Sequence, residues 1–125
     1  MNNPMYFELQ AGDLERASNF YKNVFDWGIT PQEGMPVEYR RIETNGIAGG
    51  ILKRPASTPG KEQGTNAAII SMEVKNYDDS ASKILENGGI EALPKFAVPG
   101  RCWQGYYIDT EGNTFGIIEV DETAA

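Results

Sequence analysis

The chain contains no histidine and only one cysteine, Cys102. Histidine is the commonest metal ligand and the usual acid-base group near neutral pH. Its absence excludes an imidazole-bound metal and a Ser-His or Cys-His nucleophile. A single cysteine forms no disulfide within the chain, which fits a reducing compartment. Carboxylates, tyrosines, lysines and one thiol remain for chemistry, and the sequence predicts no cofactor.

Basic residues and long apolar runs are also scarce. The 125 residues include 11 Lys and Arg against 18 Asp and Glu, and the net charge of −7 disfavours nucleic acid as a partner. No apolar run approaches the ~20 residues of a membrane span. The first residues, Met1-Asn-Asn-Pro, have neither the basic nor the apolar region of a signal peptide. We therefore expect a cytoplasmic protein of one domain, with no nucleic acid or membrane partner.

The apolar pattern predicts a strand, then a helix, then further strands, and this order occurs twice. Residues 4–11 alternate as a strand, and Asp13 is a good N-cap for a helix. The pattern restarts with a strand at residues 67–74 and a second N-cap at Asn76. The other predicted strands cover residues 37–43, 47–53, 92–96, 104–108 and 114–120.

Strand alternation assigns residues to two faces. Phe7 and Leu9 are predicted to pack under a helix, whereas Tyr6 and Glu8 lie on the opposite, inward face. Ser71 takes the same inward face in the second half. A carboxylate on an inward face is unusual for a hydrophobic core, and it indicates a wet cavity.

Two aromatic groups receive different interpretations. The aromatic residues of the first helix have core spacing and are interpreted as packing residues: Phe20, Tyr21, Phe25 and Trp27. Trp103, Tyr106 and Tyr107 follow the loop-forming segment that ends at Cys102, and aromatic platforms suit planar ligands. Alternation places one of the two tyrosines in the core. Trp103 and Tyr107 are predicted ligand contacts.

Two runs resemble a known superfamily. The run FELQAGDLERASNFYKNVFDW from Phe7 to Trp27 and the run YIDTEGNTFGIIE from Tyr107 to Glu119 resemble its opening and closing motifs. It is the glyoxalase/bleomycin-resistance/extradiol-dioxygenase superfamily, also called vicinal oxygen chelate proteins. The resemblance covers roughly residues 4–120 and is closest to small proteins related to lactoylglutathione lyase.

The resemblance implies an α+β fold of two βαβββ modules in a pseudo-twofold arrangement, with sheets that curl around a central cleft. Residues 1–125 would form one glyoxalase-like domain, with module one at about 4–54 and module two at about 65–121. Residues 55–64, rich in Pro, Gly, Ser and Lys, would be the linker. The resemblance is compatible with a monomer and with a homodimer that exchanges modules.

Active members of this superfamily hold a divalent metal through two histidines and two carboxylates. The resemblance carries those four positions onto Tyr6, Gly49, Ile69 and Gly116. Among these four residues only Tyr6 could bind a metal, as a tyrosinate, and tyrosinate is a rare ligand. The sequence therefore predicts no metal. Reactions that need the metal are therefore in doubt, and whether the chain is an enzyme stays open. The two glycines leave room for a flat ligand, or they reflect drift or a bulge.

The favoured hypothesis is a metal-free protein that binds a small planar or amphipathic molecule in the cleft. Three roles are open for Glu8. It could form an ion pair with Arg40 or Arg41, accept a hydrogen bond from the ligand, or act as a general base. One alternative is a lyase or isomerase of a small carbonyl compound that uses Glu8 or a tyrosine. Another is an accessory domain whose vestigial cleft is filled by side chains. The predicted ligand contacts are Tyr6, Glu8, Arg41, Gly49, Ser71, Trp103, Tyr107 and Gly116.

Overall fold

A computed structural model describes residues 1–55, 67–111 and 113–125 of the chain, and in it the order β-α-β-β-β occurs twice. The first set is β1 (Asn3–Ala11), α1 (Leu14–Phe25), β2 (Gly28–Pro31), β3 (Tyr39–Glu43) and β4 (Ala48–Lys53). The second set is β5 (Ile69–Glu73), α2 (Tyr77–Glu86), β6 (Ile90–Val98), β7 (Cys102–Ile108) and β8 (Thr114–Val120). The predicted α+β class and repeated order are confirmed.

The chain divides into two compact units. The first module is Tyr6–Ala68, and the second module is Met1–Met5 together with Ile69–Ala125. The start of the chain groups with the second module, where the Asn2 amide donates to the Glu73 carbonyl at 2.6 Å. The predicted linker lies, from residue 56 onward, outside the described residues.

Both helices begin at the predicted N-caps. Asp13 and Asn76 have extended backbones, and their side chains accept hydrogen bonds from the amides of Arg16 and Asp79. Each cap satisfies an amide that the first helical turn leaves without a partner. The strand β2 was missed, because four residues bounded by glycine and proline carry too little alternation to indicate a strand.

The first module is a four-stranded sheet in the order β2-β3-β4-β1, with β1 parallel to β4 and the other pairs antiparallel. Helix α1 covers one face of this sheet. Leu14 of the helix packs with Ile29, Ile42 and Ile51 of the strands, and Phe7 lies against the same cluster. Burying an isoleucine side chain stabilises the fold by roughly 1.5–3 kcal/mol, so this cluster holds helix and sheet together.

The prediction for the aromatic residues of α1 is only partly right. Tyr21 and Trp27 pack against the core and stack on each other with ring centroids 5.0 Å apart. Phe20 and Phe25 are 56% and 57% exposed, and they contact the aromatic pair from its solvent side. Ser18 takes the buried helical position instead, and its hydroxyl donates to the Leu14 carbonyl at 2.6 Å.

The sheet of the second module has the order β5-β8-β7-β6, with β5 parallel to β8. Its core consists of Val74, Tyr77, Tyr107 and Ile117, which α2 helps to cover. The phenol oxygens of Tyr77 and Tyr107 are 3.0 Å apart in this core. Among the described residues, no helix is both long and apolar enough to cross a membrane.

We expect Gly105→Ala to destabilise the second module. A Cβ atom at Gly105 would overlap the hydroxyl of Tyr77, which is 2% exposed and fixed by Tyr107. Such overpacking costs about 1–3 kcal/mol in the free energy of unfolding, measurable by urea denaturation. Gly28→Ala is the control, because its Cβ would meet Glu43 at an ordinary 3.8 Å. Equal stabilities for the two variants would contradict this packing.

Candidate functional site

Strand alternation in the first module separates a helix-covered face from a polar face. Glu8 of β1 lies opposite Gly50 of β4, and Gly50 lies opposite Arg41 of β3. Side chains at paired positions point to the same side of a sheet. Tyr6, two residues before Glu8, belongs to this side too. The predicted contacts Tyr6, Glu8 and Arg41 are therefore brought together on one face.

A chain of hydrogen bonds connects the polar residues of this face. Glu8 is only 2% exposed, and its Oε2 accepts a hydrogen bond of 2.7 Å from the Tyr39 hydroxyl. The Tyr39 oxygen is 2.6 Å from the hydroxyl oxygen of half-buried Tyr6. Burying a carboxyl group is costly unless such partners satisfy it. Tyr39 thus supplies one of the contacts that stabilise the buried carboxyl group of Glu8.

Tyr39 is a neutral hydrogen-bond donor in this network. Burial raises its pKa far above the usual range of a phenol, and the neighbouring charge of Glu8 raises it further. Only 5% of Tyr39 is exposed, so its hydroxyl is held away from bulk water. The raised pKa therefore favours the protonated phenol, which can donate a hydrogen bond.

Arg41 brings a positive charge to the same face. Its guanidinium carbon lies 5.8 Å from the centroid of the Tyr6 ring, and its Nε donates to Glu43 Oε1 at 2.7 Å. Burial acts to lower the pKa of Arg41, but the hydrogen bond to Glu43 and nearby groups outweigh it, and the net shift is upward. Its two terminal nitrogens make no hydrogen bond to the residues that the structure describes. Arg40, the other predicted partner of Glu8, donates to Ser18 on the helix side.

The prediction for Gly49 is wrong by one residue. A Cβ atom at Gly49 would lie 2.6 Å from Cε1 of Phe7, which places Gly49 on the helix-covered face. A Cβ atom at Gly50 would overlap the Tyr39 hydroxyl, so Gly50 is the glycine on the polar face. The Tyr39 hydroxyl fills the space that the missing side chain of Gly50 leaves. This space is therefore not open to a flat ligand, contrary to what the sequence had suggested.

In the second module, Ser71 and Gly116 lie opposite each other on β5 and β8. A Cβ atom at Gly116 would overlap the Ser71 hydroxyl, so this glycine too accommodates a neighbouring side chain. Ser71 is fully buried, and its Oγ has no hydrogen-bond partner among the described residues. Nearby on the sheet, Gln104 Nε2 donates to the Tyr106 hydroxyl at 2.7 Å.

The predictions for Trp103 and Tyr107 are corrected by the alternation of β7. Tyr107 is 1% exposed and belongs to the core, whereas Tyr106 lies on the face of Gly116. Trp103 packs against the same core, and its Nε1 donates to Asp121 at 3.0 Å. Both predicted contacts therefore lie on the helix side of the sheet. One of the two adjacent tyrosines was expected in the core, and Tyr107 is the one.

Sequence reasoning missed Tyr39, the centre of the polar network. Its signal was available, because Tyr39 and Arg41 have the same parity in the predicted strand of residues 37–43. Choosing Arg41 as inward-facing therefore implied Tyr39 as well. Tyr39 also lines an open cavity of about 370 Å³ at the β2–β3 connection, together with Met35 and Val37.

The residues do not fit the metal of the superfamily. The corresponding positions offer one phenol oxygen at Tyr6 in the first module, and Ile69 and Gly116 offer no side-chain ligand in the second. Within residues 1–55, 67–111 and 113–125, no group of three or more His, Cys, Asp or Glu could hold a metal ion. We derive no catalytic step through a metal from this donor set.

No protein-family model matches the chain, and no curated protein sequence matches it significantly. Solved structures do match. Methylmalonyl-CoA epimerase of Streptomyces coelicolor in complex with 2-nitronate-propionyl-CoA has a TM-score of 0.74 at 15% identity, over 100% of this chain and 99% of that chain. A hypothetical protein of Bacillus halodurans C-125 has a TM-score of 0.72 at 16% identity, over 98% and 97% of the two chains.

A glyoxalase/bleomycin resistance protein/dioxygenase superfamily member from Vibrio splendidus 12B01 has a TM-score of 0.65 at 14% identity, over 91% of this chain and 96% of that chain. The chain therefore has the glyoxalase-like fold that these solved structures share. At these identities the likeness concerns the fold, so function depends on the residues of the site.

We expect stability to fall at alkaline pH, partly through Tyr39. In the unfolded chain a tyrosine loses its proton near pH ~10, whereas folded Tyr39 keeps it because its pKa is raised. Above that pH the unfolded state binds fewer protons, so the free energy of unfolding falls by up to about 1.4 kcal/mol per pH unit for this group.

The measurement is urea unfolding at several pH values for the wild type and for Tyr39→Phe. The variant should be less stable by about 1–3 kcal/mol at neutral pH, because Glu8 loses a partner. It should also show a shallower alkaline decline. Parallel declines in the two proteins would contradict the assigned role of Tyr39.

Proposed function

We propose that the protein binds a small anionic molecule with a planar or amphipathic body on the polar face of the first module, without a histidine-bound metal. The observation that carries the proposal is the position and hydrogen bonding of the Arg41 guanidinium group. Its Nε donates to Glu43, its guanidinium carbon lies 5.8 Å from the centroid of the Tyr6 ring, and its terminal nitrogens have no hydrogen-bond partner among the described residues. A guanidinium group held in this way suits a carboxylate, which it can bind through two parallel hydrogen bonds.

The rest of the face supports binding by being ordered in advance. The chain from Glu8 through Tyr39 to Tyr6 fixes the aromatic ring beside Arg41. A ligand then orders few side chains on arrival, which lowers the free-energy cost of association. The Tyr6 ring offers an aromatic surface to a planar group. Next to Tyr39 lies an open cavity whose lining is mixed, with Met35 and Val37 beside Glu33 and Glu38.

We expect 4-phenylbutanoate to bind and its neutral analogue 4-phenylbutanamide to bind far more weakly. Isothermal titration calorimetry in the presence of chelator measures both affinities. At ~100 times its dissociation constant the anion should stabilise the fold by about 2.7 kcal/mol. Arg41→Gln should weaken anion binding at least about tenfold, because a charged hydrogen-bonded pair is lost.

Arg101→Gln is the matched control, because Arg101 is exposed in the second module, outside the polar face. It should bind like the wild type. Equal binding of anion and amide, or unchanged binding by Arg41→Gln, would overturn the proposal. No response to either compound would favour the accessory-domain hypothesis, to which the filling of the Gly50 and Gly116 positions by Tyr39 and Ser71 also points.

A second candidate function is isomerase or lyase chemistry on a small carbonyl compound, with Glu8 as the acid-base group. The observation that favours it is the continuous hydrogen-bonded path from the buried Glu8 carboxyl group to Tyr6. A proton can move along such a path if each hydroxyl gives one proton and receives one. The matching solved structures include methylmalonyl-CoA epimerases, which likewise have the glyoxalase-like fold.

Proton exchange tests this second candidate. If Glu8 removes a proton next to a carbonyl group, the protein in D₂O should exchange deuterium into the α-carbon of propionyl-CoA, as followed by proton NMR. Glu8→Gln should abolish that exchange and leave a folded protein. The absence of exchange by the wild type, or its persistence in Glu8→Gln, would speak against catalysis by Glu8.

A further inference from the structure

We infer that Glu43 makes the polar face selective for ligands that carry a single negative charge. The ligand class is a monocarboxylate, and phosphate monoesters and dicarboxylates are disfavoured. The inference rests on the proposed function, because Arg41 must bind the anion before Glu43 can act on its charge. It comes from the balance of charges on the face, where one cation already has an anionic partner.

Arg41 is the only positively charged residue at the described strand positions of this face. Strand pairing assigns to the face, from β1, β3 and β4, Tyr6, Glu8, Gln10, Tyr39, Arg41, Glu43, Ala48, Gly50 and Leu52. Arg54 follows β4 and donates to the Gln10 carbonyl, roughly 13 Å along the strand from Gly50. A ligand bound at Arg41 therefore meets one positive charge on this face.

That positive charge is already balanced by a neighbouring carboxylate. Glu43 Oε1 accepts the hydrogen bond from Arg41 Nε at 2.7 Å. The terminal nitrogens of Arg41 have no hydrogen-bond partner among the described residues, so a ligand carboxylate can bind through both of them. The ligand thus joins an ion pair whose charges sum to zero, and the resulting group of three carries the charge of the ligand.

Selectivity follows from the way two opposing effects depend on the charge of the ligand. The attraction to Arg41 and the repulsion from Glu43 both rise in proportion to that charge. The free-energy cost of removing an ion from water rises with the square of its charge, so a dianion costs about four times as much to desolvate for about twice the attraction. The net charge of −7 on the chain adds further repulsion. A second negative charge therefore lowers the affinity for this face.

The test compares three ligands that share a phenylpropyl group, by isothermal titration calorimetry at about pH 8 and low ionic strength, where screening is weak. 4-Phenylbutanoate and methyl 3-phenylpropyl phosphate are monoanions. 3-Phenylpropyl phosphate is a dianion, because the second pKa of a phosphate monoester is about 6. The wild type should bind the phosphate diester at least about threefold more tightly than the monoester.

Glu43→Gln gives a sharper test, because glutamine keeps an oxygen for Arg41 Nε and removes only the charge. Losing one repulsion favours a dianion by twice the free energy by which it favours a monoanion, so the fold-change for the monoester should be the square of that for the diester. Coulomb's law in a high dielectric gives roughly tenfold for the monoester and roughly threefold for the diester.

Glu15→Gln is the matched control. It changes the net charge of the chain by the same amount, but Glu15 is exposed in the first turn of α1, on the helix-covered side of the sheet. This variant should keep the wild-type ratio of the two affinities. The Glu43 side chain is 62% exposed, so its substitution should leave the fold intact, which circular dichroism establishes. The wild-type comparison decides the question if a variant is unfolded.

The outcomes separate the inference from the proposed function. If Arg41→Gln weakens the binding of both monoanions and the wild type binds monoester and diester equally, anion binding stands and the selectivity for one charge is wrong. If Glu43→Gln strengthens both phosphates by the same factor, or Glu15→Gln shifts their ratio as much, Glu43 does not determine the selectivity. If none of the three ligands binds, the proposed function fails and the inference fails with it.

Discussion

The arrangement of the first module depends on a buried carboxyl group that needs hydrogen bonds. Glu8 is almost inaccessible to solvent, so its oxygens need donors from the protein. Tyr39 supplies one, and its hydroxyl fits over β4 only because residue 50 has no side chain. The same hydroxyl contacts Tyr6, whose ring lies near Arg41. One polar requirement thus fixes the tyrosine pair, the glycine and the position of the cation.

The second module uses the same strand register with a different result. Ser71 lies opposite Gly116 as Glu8 lies opposite Gly50, and in both modules a hydroxyl group takes the space that a side chain at the glycine would fill. In the first module that hydroxyl belongs to Tyr39 and joins a chain of hydrogen bonds. Ser71 Oγ has no such partner in the described part of the chain. The first module is therefore the better candidate for specific polar recognition.

Local patterns in the sequence predicted the local structure well. Asp13 and Asn76 are N-caps because a short polar side chain satisfies a free amide two or three residues away, which involves no distant part of the chain. Placing Gly49 required the register between β1 and β4, which pairs Gly49 with Phe7 of the helix-covered face. Choosing between Tyr106 and Tyr107 required knowledge of which face α2 covers, since both are aromatic.

Tyr39 gains its role from a contact with Glu8, 31 positions away. Such pairings depend on tertiary packing, which alternation alone does not specify.

Gly50 of β4 and Tyr39 of β3 are structurally coupled. A carboxylate side chain at residue 50 would require a Cβ atom where the Tyr39 hydroxyl lies, so a ligand there and a tyrosine at residue 39 exclude each other. Introducing only the carboxylate would displace Tyr39 and remove one hydrogen-bond donor from Glu8. The glycine at residue 50 and the Glu8–Tyr39–Tyr6 chain are therefore one structural solution. That solution also places the Tyr6 ring near Arg41, so the proposed binding face and the glycine at residue 50 have the same structural origin.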